Sequence, residues 1–308
     1  DLLSKVYINL LDQKEPKLNF KNQDNEKIDL DLNKKSLYFK KIIKPTEEEM
    51  QKHKKYLKTN LKKNFFKNHK AFTTYPSWKE AQKASIGYDE DSFIEKLRNS
   101  AKLVFDEKEI YERDTVIFNK IQYSWPLLAS LIFASSKCKT LKIIDFGGAL
   151  GTSYHQNKRF LSKIHKDFKW RIVEQSKLVN IGKQEFTDEF VSFYNTIEEA
   201  SEDQVDVVFF GGSICYLENP YNHLEAAIKT KAPYVIIDRT PIIRDLDDTF
   251  AVQHVHPSMY EASYPIRNFS YANFVKPFEK EYILIEEWTC DLQGDSESTA
   301  MGFIFERK

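Results

Sequence analysis

The chain reads Leu141-Lys-Ile-Ile-Asp-Phe-Gly-Gly-Ala-Leu-Gly151 where a short apolar run meets a glycine-rich turn. The run has the length of a buried strand, and residues 152–165, which follow the turn, have the pattern of a helix. A strand, a tight glycine turn and a helix form the first unit of a doubly wound α/β sheet, in which the turn lies at a ligand crevice. Glycines in such a turn let the backbone approach a ligand closely, because they carry no Cβ.

The spacing of these glycines separates two kinds of nucleotide site. The dinucleotide pattern G-x-G-x-x-G is not met, whether it is started at Gly147 or at Gly148. The pattern D-x-G-x-(G/A)-x-G is met, and its fixed positions are Asp145, Gly147, Ala149 and Gly151. A strand-to-helix turn that binds no ligand remains the alternative at this point.

Composition excludes several classes of protein. The 308 residues contain 46 basic and 46 acidic side chains, so the zero net charge gives no indication of a nucleic-acid partner. No apolar run reaches the roughly 18 residues that a membrane span needs. Three cysteines, at positions 138, 215 and 290, have neither metal-binding nor disulfide spacing, which predicts a reducing cytoplasm. The hydrophobic fraction of 41% allows a sizeable core.

The chain divides by composition near residue 70. Residues 1–70 are rich in Lys and Asn and contain no glycine, and they are predicted to be a linker and a helix. Thr46 and Glu49 form a capping box that opens this helix, which is predicted to end near Asn68. The segment is expected to connect to a preceding domain of a longer polypeptide or to cover the domain that follows. Residues 71–308 are predicted to be one domain, with a helical cap (71–138) and a Rossmann-like core (139–308).

Strands and helices alternate after the glycine turn. Before the turn, helices are predicted over residues 91–105, 109–119 and 124–135. After it, strands are predicted over residues 170–174, 190–193, 205–210 and 234–238, with a C-terminal hairpin of residues 282–288 and 300–306. The predicted fold class is therefore α/β, with a mostly parallel Rossmann-like sheet.

Polar and small residues follow the predicted strands. Glu174 ends the second strand, where an acid can accept hydrogen bonds from both ribose hydroxyls of a nucleoside. Residues 211–213 (Gly-Gly-Ser) end the fourth strand, and Tyr216 follows them. Gly212 and Ser213 are predicted to flank the cofactor and Tyr216 to line the reaction channel, whereas Cys215 is expected to be core.

Two further groups follow the fifth strand. Asp238 and Arg239 hold substrate or pair with each other, and the sequence leaves both readings open. His254 and His256 are spaced to point the same way on an extended chain, which makes one of them a candidate general base. No third ligand accompanies them, so a metal site is not predicted.

Several strings together resemble one family. They are Pro76-Ser-Trp-Lys-Glu-Ala81, Ser85-Ile-Gly-Tyr-Asp89, Tyr111-Glu-Arg-Asp-Thr-Val-Ile-Phe118, Asp145-Phe-Gly-Gly-Ala-Leu-Gly-Thr-Ser-Tyr154 with Gln156-Asn157, Ile172-Val-Glu-Gln175, Tyr216-Leu-Glu218, Asp238-Arg-Thr-Pro241 and Ala262-Ser-Tyr-Pro265. Residues 75–308 thereby resemble the S-adenosylmethionine (SAM) dependent methyltransferases of bacterial capsule and O-antigen loci. The chain departs from that family at Val255-His256-Pro257, where Val-Pro-Pro is expected, so the resemblance does not imply a base role for His256.

The resemblance implies a class I methyltransferase sheet, SAM as cofactor and a set of site residues. The cofactor would be bound by Asp145, Gly147, Gly148, Ala149, Gly151, Tyr154, Glu174, Gln175, Gly212 and Ser213. The acceptor would be bound by Tyr111, Arg113, Asp114, Gln156, Asn157, Arg239, Tyr260 and Tyr264. Catalytic candidates are His254, His256, Asp238 and Tyr216.

The predicted function is methyl transfer, expected to an oxygen, onto a sugar or sugar-linked group in surface polysaccharide assembly. The partners are then a small-molecule or glycan acceptor and other capsule-assembly enzymes. One alternative acceptor is a small phosphorylated or amine metabolite. A different alternative is a SAM-fold module without catalysis that binds glycan or scaffolds other enzymes. An NAD-linked enzyme is disfavoured by the glycine spacing.

Overall fold

The structure is a computed structural model that describes residue 46 and residues 71–86, 91–244, 247–255, 262–290 and 298–308. The chain divides into two compact units, Asp1–His69 and Lys70–Lys308. Apart from Thr46, every described residue belongs to the second unit. The predicted capping box and the helix it opens lie outside the described residues. Among the helices described, none is both long and apolar enough to span a membrane.

The second unit alternates strands with helices. The strands are β1 (Phe72–Tyr75), β2 (Tyr111–Arg113), β3 (Val116–Phe118), β4 (Leu141–Phe146), β5 (Phe168–Val173), β6 (Val191–Tyr194), β7 (Val207–Gly211), β8 (Tyr234–Ile243), β9 (Thr249–His254), β10 (Ser263–Ser270), β11 (Tyr282–Thr289) and β12 (Thr299–Arg307). The α-helices are α1 (Trp78–Ala84), α2 (Asp91–Phe105), α3 (Trp125–Ser135), α4 (Thr152–Ile164), α5 (Ser176–Glu185), α6 (Ile197–Ala200), α7 (Pro220–Lys229) and α8 (Tyr271–Val275).

The central sheet has the order β6-β5-β4-β7-β8-β12-β11. Its first five strands are parallel, and β12 lies antiparallel between β8 and β11. In the chain order of these seven strands, the sheet therefore reads third, second, first, fourth, fifth, seventh, sixth. This is the predicted Rossmann-like sheet with a C-terminal hairpin, and the predicted fold class is confirmed. The strand order is what brings the ends of β4 and β7 side by side.

The parallel strands are covered on both faces, which is why their sequences are nearly continuous apolar runs. Successive residues of a strand point to opposite faces. Accordingly Ile143 and Phe209 belong to one buried cluster, and Ile144 and Phe210 belong to another. All four side chains are fully buried. The first cluster contains residues of α2, α3, α4 and α5, whereas the second contains residues of α6, α7 and α8.

An antiparallel extension was not predicted. Strands β1, β9 and β10 form it, and β10 joins the end of β8 through the pairs Phe269 with Ile242 and Ser270 with Ile243. The predicted helix over residues 109–119 is wrong, because β2 and β3 form a hairpin there. Asp114 and Thr115 connect its strands with φ of 52° and 70°, the left-handed pair of a tight hairpin turn.

A β-bulge in β8 sets the positions of Asp238 and Arg239. Asp238 and Arg239 stand opposite the single residue Gly302 of β12. A Cβ on Gly302 would lie 2.2 Å from Cε2 of Trp288, whose indole nitrogen donates to Asp238 at 3.0 Å. The glycine at this position therefore makes room for the tryptophan that holds Asp238.

Gly302→Ala is expected to lower the free energy of unfolding by about 1–3 kcal/mol, because the new methyl group must displace a ring held by its hydrogen bond. Urea denaturation measures this loss. Thr299→Ala, at an exposed position of the same strand, is the control and should stay within about 0.5 kcal/mol of the parent chain. Equal stability of Gly302→Ala and the parent would contradict the packing described here.

Candidate functional site

The candidate site lies at the carboxyl ends of β4, β5, β7 and β8, where the loops after neighbouring parallel strands meet. The glycine loop (147–151) follows β4, and its first amide, that of Gly147, donates to the carbonyl of Val173 at the end of β5 at 2.8 Å. Ser213, which follows β7, donates from Oγ to the carbonyl of Phe146 at 2.6 Å. These two hydrogen bonds fix the glycine loop between its neighbours.

The glycines of this loop are required for three different reasons. A Cβ on Gly147 would lie 2.3 Å from Cβ of Ser213, and a Cβ on Gly148 would lie 2.6 Å from the carboxyl group of Asp145. A Cβ on Gly151 would make only ordinary van der Waals contacts, at 3.7 Å from His155 and Ile172, but its φ of +103° strains any other residue. Ala149 is also left-handed, with φ of 49°. Packing against Ser213 and Asp145 thus explains two of the three glycines without a ligand.

Asp145 lies underneath the loop with no exposed surface. Its Oδ2 accepts a hydrogen bond from Nε1 of Trp170 at 2.9 Å, and its Oδ1 has no hydrogen-bond partner among the described residues. Burial raises the pKa of this carboxyl to about 7, against the opposing effects of Trp170 and the positive charge of Arg239. Asp145 therefore supports the loop from below and does not face solvent.

The raised pKa of Asp145 predicts a specific pH dependence of stability. Between about pH 4 and pH 7 the unfolded carboxyl is ionised while the buried one keeps its proton, so the folded state binds more protons. The free energy of unfolding should therefore fall as the pH rises through this window and level off above it. One such group contributes at most about 1.4 kcal/mol per pH unit.

Asp145→Asn removes this contribution and keeps an oxygen for the Trp170 hydrogen bond. Urea denaturation between about pH 4 and pH 8 should show the parent losing stability relative to Asp145→Asn as the pH rises. Glu112, whose pKa burial also raises to about 7, titrates in both proteins and cancels in the difference. Parallel curves would contradict a neutral Asp145.

Glu174 follows β5 and turns its carboxylate toward the glycine loop. Its Oε1 accepts the amide of Ala149 at 3.2 Å, and its Oε2 accepts the amide of Gln175 at 2.9 Å. Burial raises the pKa of this carboxyl, and the two amides oppose that shift. Each oxygen retains a lone pair for a further donor. Gln175 is exposed and precedes α5.

Arg239 brings a positive charge to the end of β8. Its φ of 57° is left-handed, and its Nη2 donates to the carbonyl of Gly211 at 2.6 Å. Its Nε lies 3.8 Å from Oδ2 of Asp238, which is itself buried and accepts hydrogen bonds from Trp288 at 3.0 Å and from Sγ of Cys290 at 3.2 Å. Gly212 is adjacent and left-handed, with φ of 82°. The structure thus contains the ion pair of Asp238 and Arg239, one of the two alternatives that the sequence left open. A substrate role for these two residues stays a prediction.

The hairpin of β2 and β3 brings Tyr111 and Asp114 toward Arg239. Burial opposes the charge of Arg239, but Asp238, Asp114 and Tyr111 together keep its pKa above the ordinary value. Tyr111 is buried, which raises its pKa to about 12, and Arg113 lies over the ring of Phe118 at 5.6 Å. These residues were predicted to lie on a helix that covers the site; they lie on a hairpin instead.

Two of the catalytic candidates, Tyr216 and His254, lie on opposite faces of β9. Tyr216, 37% exposed, donates from Oη to Oε1 of Gln253 at 2.7 Å and packs edge-on against Tyr264 at 6.0 Å. His254 is the next residue after Gln253, so its side chain points to the opposite face, where its Nε2 lies 3.1 Å from Oγ1 of Thr73. The structure therefore does not bring His254 and Tyr216 together. His256 and Tyr260 lie outside the described residues.

Three predicted site residues lie on α4 and are mostly buried. Tyr154 packs against Trp170 at 6.1 Å in the core. Asn157 has no exposed surface and donates to the carbonyl of Ser153 at 2.9 Å. Gln156 donates to the carbonyl of Gln122. Cofactor or acceptor contacts by these side chains stay predictions.

Two residues beside the glycine loop, Glu112 and Thr152, were not among the predicted site residues. Glu112 is buried and accepts a hydrogen bond from Oγ1 of Thr152, the first residue of α4. Glu112 stands between two residues that the sequence singled out, but a carboxylate read as part of a charged helix gives no sign of burial.

Within the described ranges, no group of three His, Cys, Asp or Glu side chains is placed to hold a metal ion.

Comparisons with known proteins give likenesses at the level of structure. No family model matches the chain, and no curated protein matches it. The N-terminal domain of EvdMO1, solved in the presence of SAH and D-fucose, is 14% identical with a TM-score of 0.42, over 68% of this chain and 97% of that one. The N-methyltransferase NodS from Bradyrhizobium japonicum WM9, in complex with S-adenosyl-l-homocysteine, is 12% identical with a TM-score of 0.38, over 68% and 98%.

Magnesium protoporphyrin IX methyltransferase from Synechocystis PCC 6803, solved with bound SAM, is 11% identical with a TM-score of 0.39, over 87% of this chain and 100% of that one. All three scores are below 0.5. The fold assignment therefore rests on the strand order of the sheet.

Proposed function

We propose that this chain binds SAM at the glycine loop and transfers its methyl group to an acceptor. The observation that carries the proposal is the position of Glu174. Its carboxylate lies against the glycine loop at the carboxyl ends of β4 and β5, which is where a doubly wound sheet binds a nucleoside. The strand order supports the same assignment, because the antiparallel β12 between β8 and β11 is the layout expected of a class I methyltransferase sheet.

The residues present fit the ribose and the methionine part of such a cofactor. Glu174 retains lone pairs for the two ribose hydroxyls. The methionine part of SAM carries an ammonium group, a carboxylate and a positively charged sulfur, and the crevice after β8 contains charges of both signs, those of Arg239, Asp114 and Asp238. Asp145, buried beneath the loop, contributes by supporting Gly148 and does not touch the nucleoside.

When bound, SAM supplies a methyl group already activated on sulfur. The protein then has to align the acceptor with that methyl group, exclude water and, for a hydroxyl acceptor, take up a proton. Gly212 and Ser213 flank the position proposed for the methionine part, and Tyr216 follows them along the chain. We assign alignment of the acceptor to this segment.

We further propose that the acceptor is a sugar or a sugar-linked group of a surface polysaccharide, with oxygen as the methylated atom. An exposed tyrosine beside a glutamine amide suits a sugar acceptor. The tyrosine ring offers an apolar face, and the amide offers hydrogen-bond donors to the sugar hydroxyls. Tyr216 and Gln253 form such a pair, and Tyr264 supports it from the side. The capsule setting rests on the family resemblance of residues 75–308.

One observation favours a second candidate, a SAM-fold binding module without catalysis. His254 points to the face of β9 opposite the one that carries Gln253, so the structure does not place the imidazole of His254 beside Tyr216. The two candidates differ in turnover and share the fold.

Isothermal titration of the full chain with SAM, S-adenosylhomocysteine and NAD tests the proposal. Binding of the first two and not of NAD supports a SAM site, whereas absence of SAM binding rejects the enzyme and leaves the module without catalysis. Methyl transfer from SAM to sugar acceptors then separates an enzyme from a binding module, because only the enzyme forms S-adenosylhomocysteine in an acceptor-dependent way.

A further inference from the structure

The hairpin of β2 and β3 is separate from the central sheet. Among the described strands, β2 and β3 pair only with each other, through Tyr111 with Phe118 and Arg113 with Val116. A two-stranded hairpin is at best marginally stable by itself in water, so its position depends on contacts with neighbouring elements. Those contacts determine what the hairpin does.

The first set of contacts joins the hairpin segment to one face of α4. Thr152 donates from Oγ1 to Oε1 of Glu112, and Gln156 donates from Nε2 to the carbonyl of Gln122. Residues four apart lie on the same side of a helix. A single face of α4 therefore holds both Glu112, in β2, and Gln122, which follows β3. Thr152 directly follows Gly151, the last residue of the glycine loop.

The second contact lies across the crevice. Asp114, in the turn of the hairpin, is close enough to Arg239 for its negative charge to favour the protonated form of the arginine. The hairpin is therefore attached at the start of α4, and its turn carries a negative charge that acts on Arg239 at the end of β8. These two positions are the boundaries of the crevice in which the glycine loop lies.

Glu112 makes the closest link between the hairpin and the loop. Only 3% of its surface is exposed, and its carboxyl group lies at the N-terminus of the 13-residue α4, where it accepts the hydrogen bond from Thr152. Loss of the carboxylate would leave the Thr152 hydroxyl without this acceptor and the hairpin without its inner attachment.

We propose that Glu112 is a positioning residue for the cofactor, which acts by holding the first turn of α4, and with it the glycine loop, against the hairpin. This inference rests on the proposed function. Glu112 itself acts through Thr152 and makes no contact with SAM in this assignment. The hairpin is then part of the cofactor site, which residue types alone did not indicate.

Two matched pairs of variants test the role of this hydrogen bond. Glu112→Ala and Thr152→Val remove it, whereas Glu112→Gln and Thr152→Ser keep an acceptor or a hydroxyl. In the ligand-free full chain, hydrogen exchange of the hairpin and of the first turn of α4 should rise in the first pair and stay near the parent in the second. SAM affinity, measured by titration, should fall about tenfold in the first pair and less than about threefold in the second.

Arg98→Ala removes an exposed ion pair with Glu185 and is the control, for which neither measurement should change. Parent-like SAM affinity in Glu112→Ala would overturn the inference, and so would equal losses in both pairs, since a general loss of packing would explain them. If the parent chain binds no SAM, the proposed function fails. Hydrogen exchange then decides by itself: selective loss of protection supports the link between hairpin and loop, and its absence overturns it.

Discussion

Glu174→Ala is expected to weaken SAM binding by at least tenfold, about 1.4 kcal/mol. The variant removes the acceptor proposed for the ribose hydroxyls and also leaves the amides of Ala149 and Gln175 without their present partner. Both effects act on the glycine loop. Isothermal titration with SAM at a fixed pH measures the loss.

Two comparisons separate these effects. Glu174→Gln keeps one oxygen that can accept the Ala149 amide but cannot accept from both ribose hydroxyls as a carboxylate does, so its affinity should lie between those of the parent and Glu174→Ala. Asp206→Ala is the matched control, because Asp206 accepts the amide of Lys142 at 2.8 Å at the amino end of β7, opposite the strand ends that carry the glycine loop. Its SAM affinity should equal that of the parent.

Unchanged affinity in Glu174→Ala, in a parent that binds SAM, would remove Glu174 from the site. Asp145→Ala tests the support beneath the glycine loop. A tenfold loss of SAM affinity is also expected in this variant, because the carboxyl group packs against Gly148. If neither variant changes the affinity, SAM does not bind at the glycine loop.

The parallel strands could be predicted because burial on both faces leaves a mark in the sequence. The stretch Val-Val-Phe-Phe of β7 is apolar without interruption, and its side chains are fully buried. The same reasoning fails for β9 and β10. Their burial is uneven, and β10 contains Pro265 and Arg267 within the strand. Such segments have no regular period from which a sheet could be recognised.

The hairpin of β2 and β3 was taken for a helix because its turn lacks the usual signal. Tight hairpin turns need two residues with positive φ, and the sequence marks them by Asn-Gly or Asp-Gly. Here Asp114 and Thr115 take that conformation, and neither is glycine. A β-branched residue with φ of 70° is strained, and only its surroundings in the fold can compensate for it.

The glycine loop shows a different limit of sequence reasoning. Its position in the fold was predicted correctly, whereas the neighbours against which its glycines pack were not predicted. Gly147 is required by Ser213 and Gly148 by Asp145, and the first of these contacts joins residues far apart in the chain. A pattern of glycines therefore indicates close packing, and the identity of the neighbour becomes visible only in the fold.

Arg239→Ala is expected to lower the free energy of unfolding by about 3 kcal/mol or more, because removal of one partner leaves the buried Asp238 without a compensating charge. The arginine side chain is 22% exposed, and Asp238 beside it is 1% exposed. The variant also removes the hydrogen bond from Nη2 to the carbonyl of Gly211, which holds the end of β7. Urea denaturation measures the loss.

Arg239→Gly separates the charge from the backbone. Both variants lack the guanidinium, but glycine adopts the observed φ of 57° without the strain that a Cβ causes, so Arg239→Gly should be more stable than Arg239→Ala by about 1 kcal/mol. Arg244→Ala is the control. Arg244 is 72% exposed, lies 3.6 Å from Glu287, and its loss should cost less than about 1 kcal/mol.

The three variants together decide what Arg239 does. A loss in Arg239→Ala no larger than that in Arg244→Ala would show that Asp238 does not depend on the arginine for compensation. Arg239 would then be free to bind an anionic group of the acceptor. A large loss in both Arg239 variants, with the glycine variant the more stable of the two, means that the arginine is committed to the fold and that the bulge at β8 exists to bring its charge to the crevice.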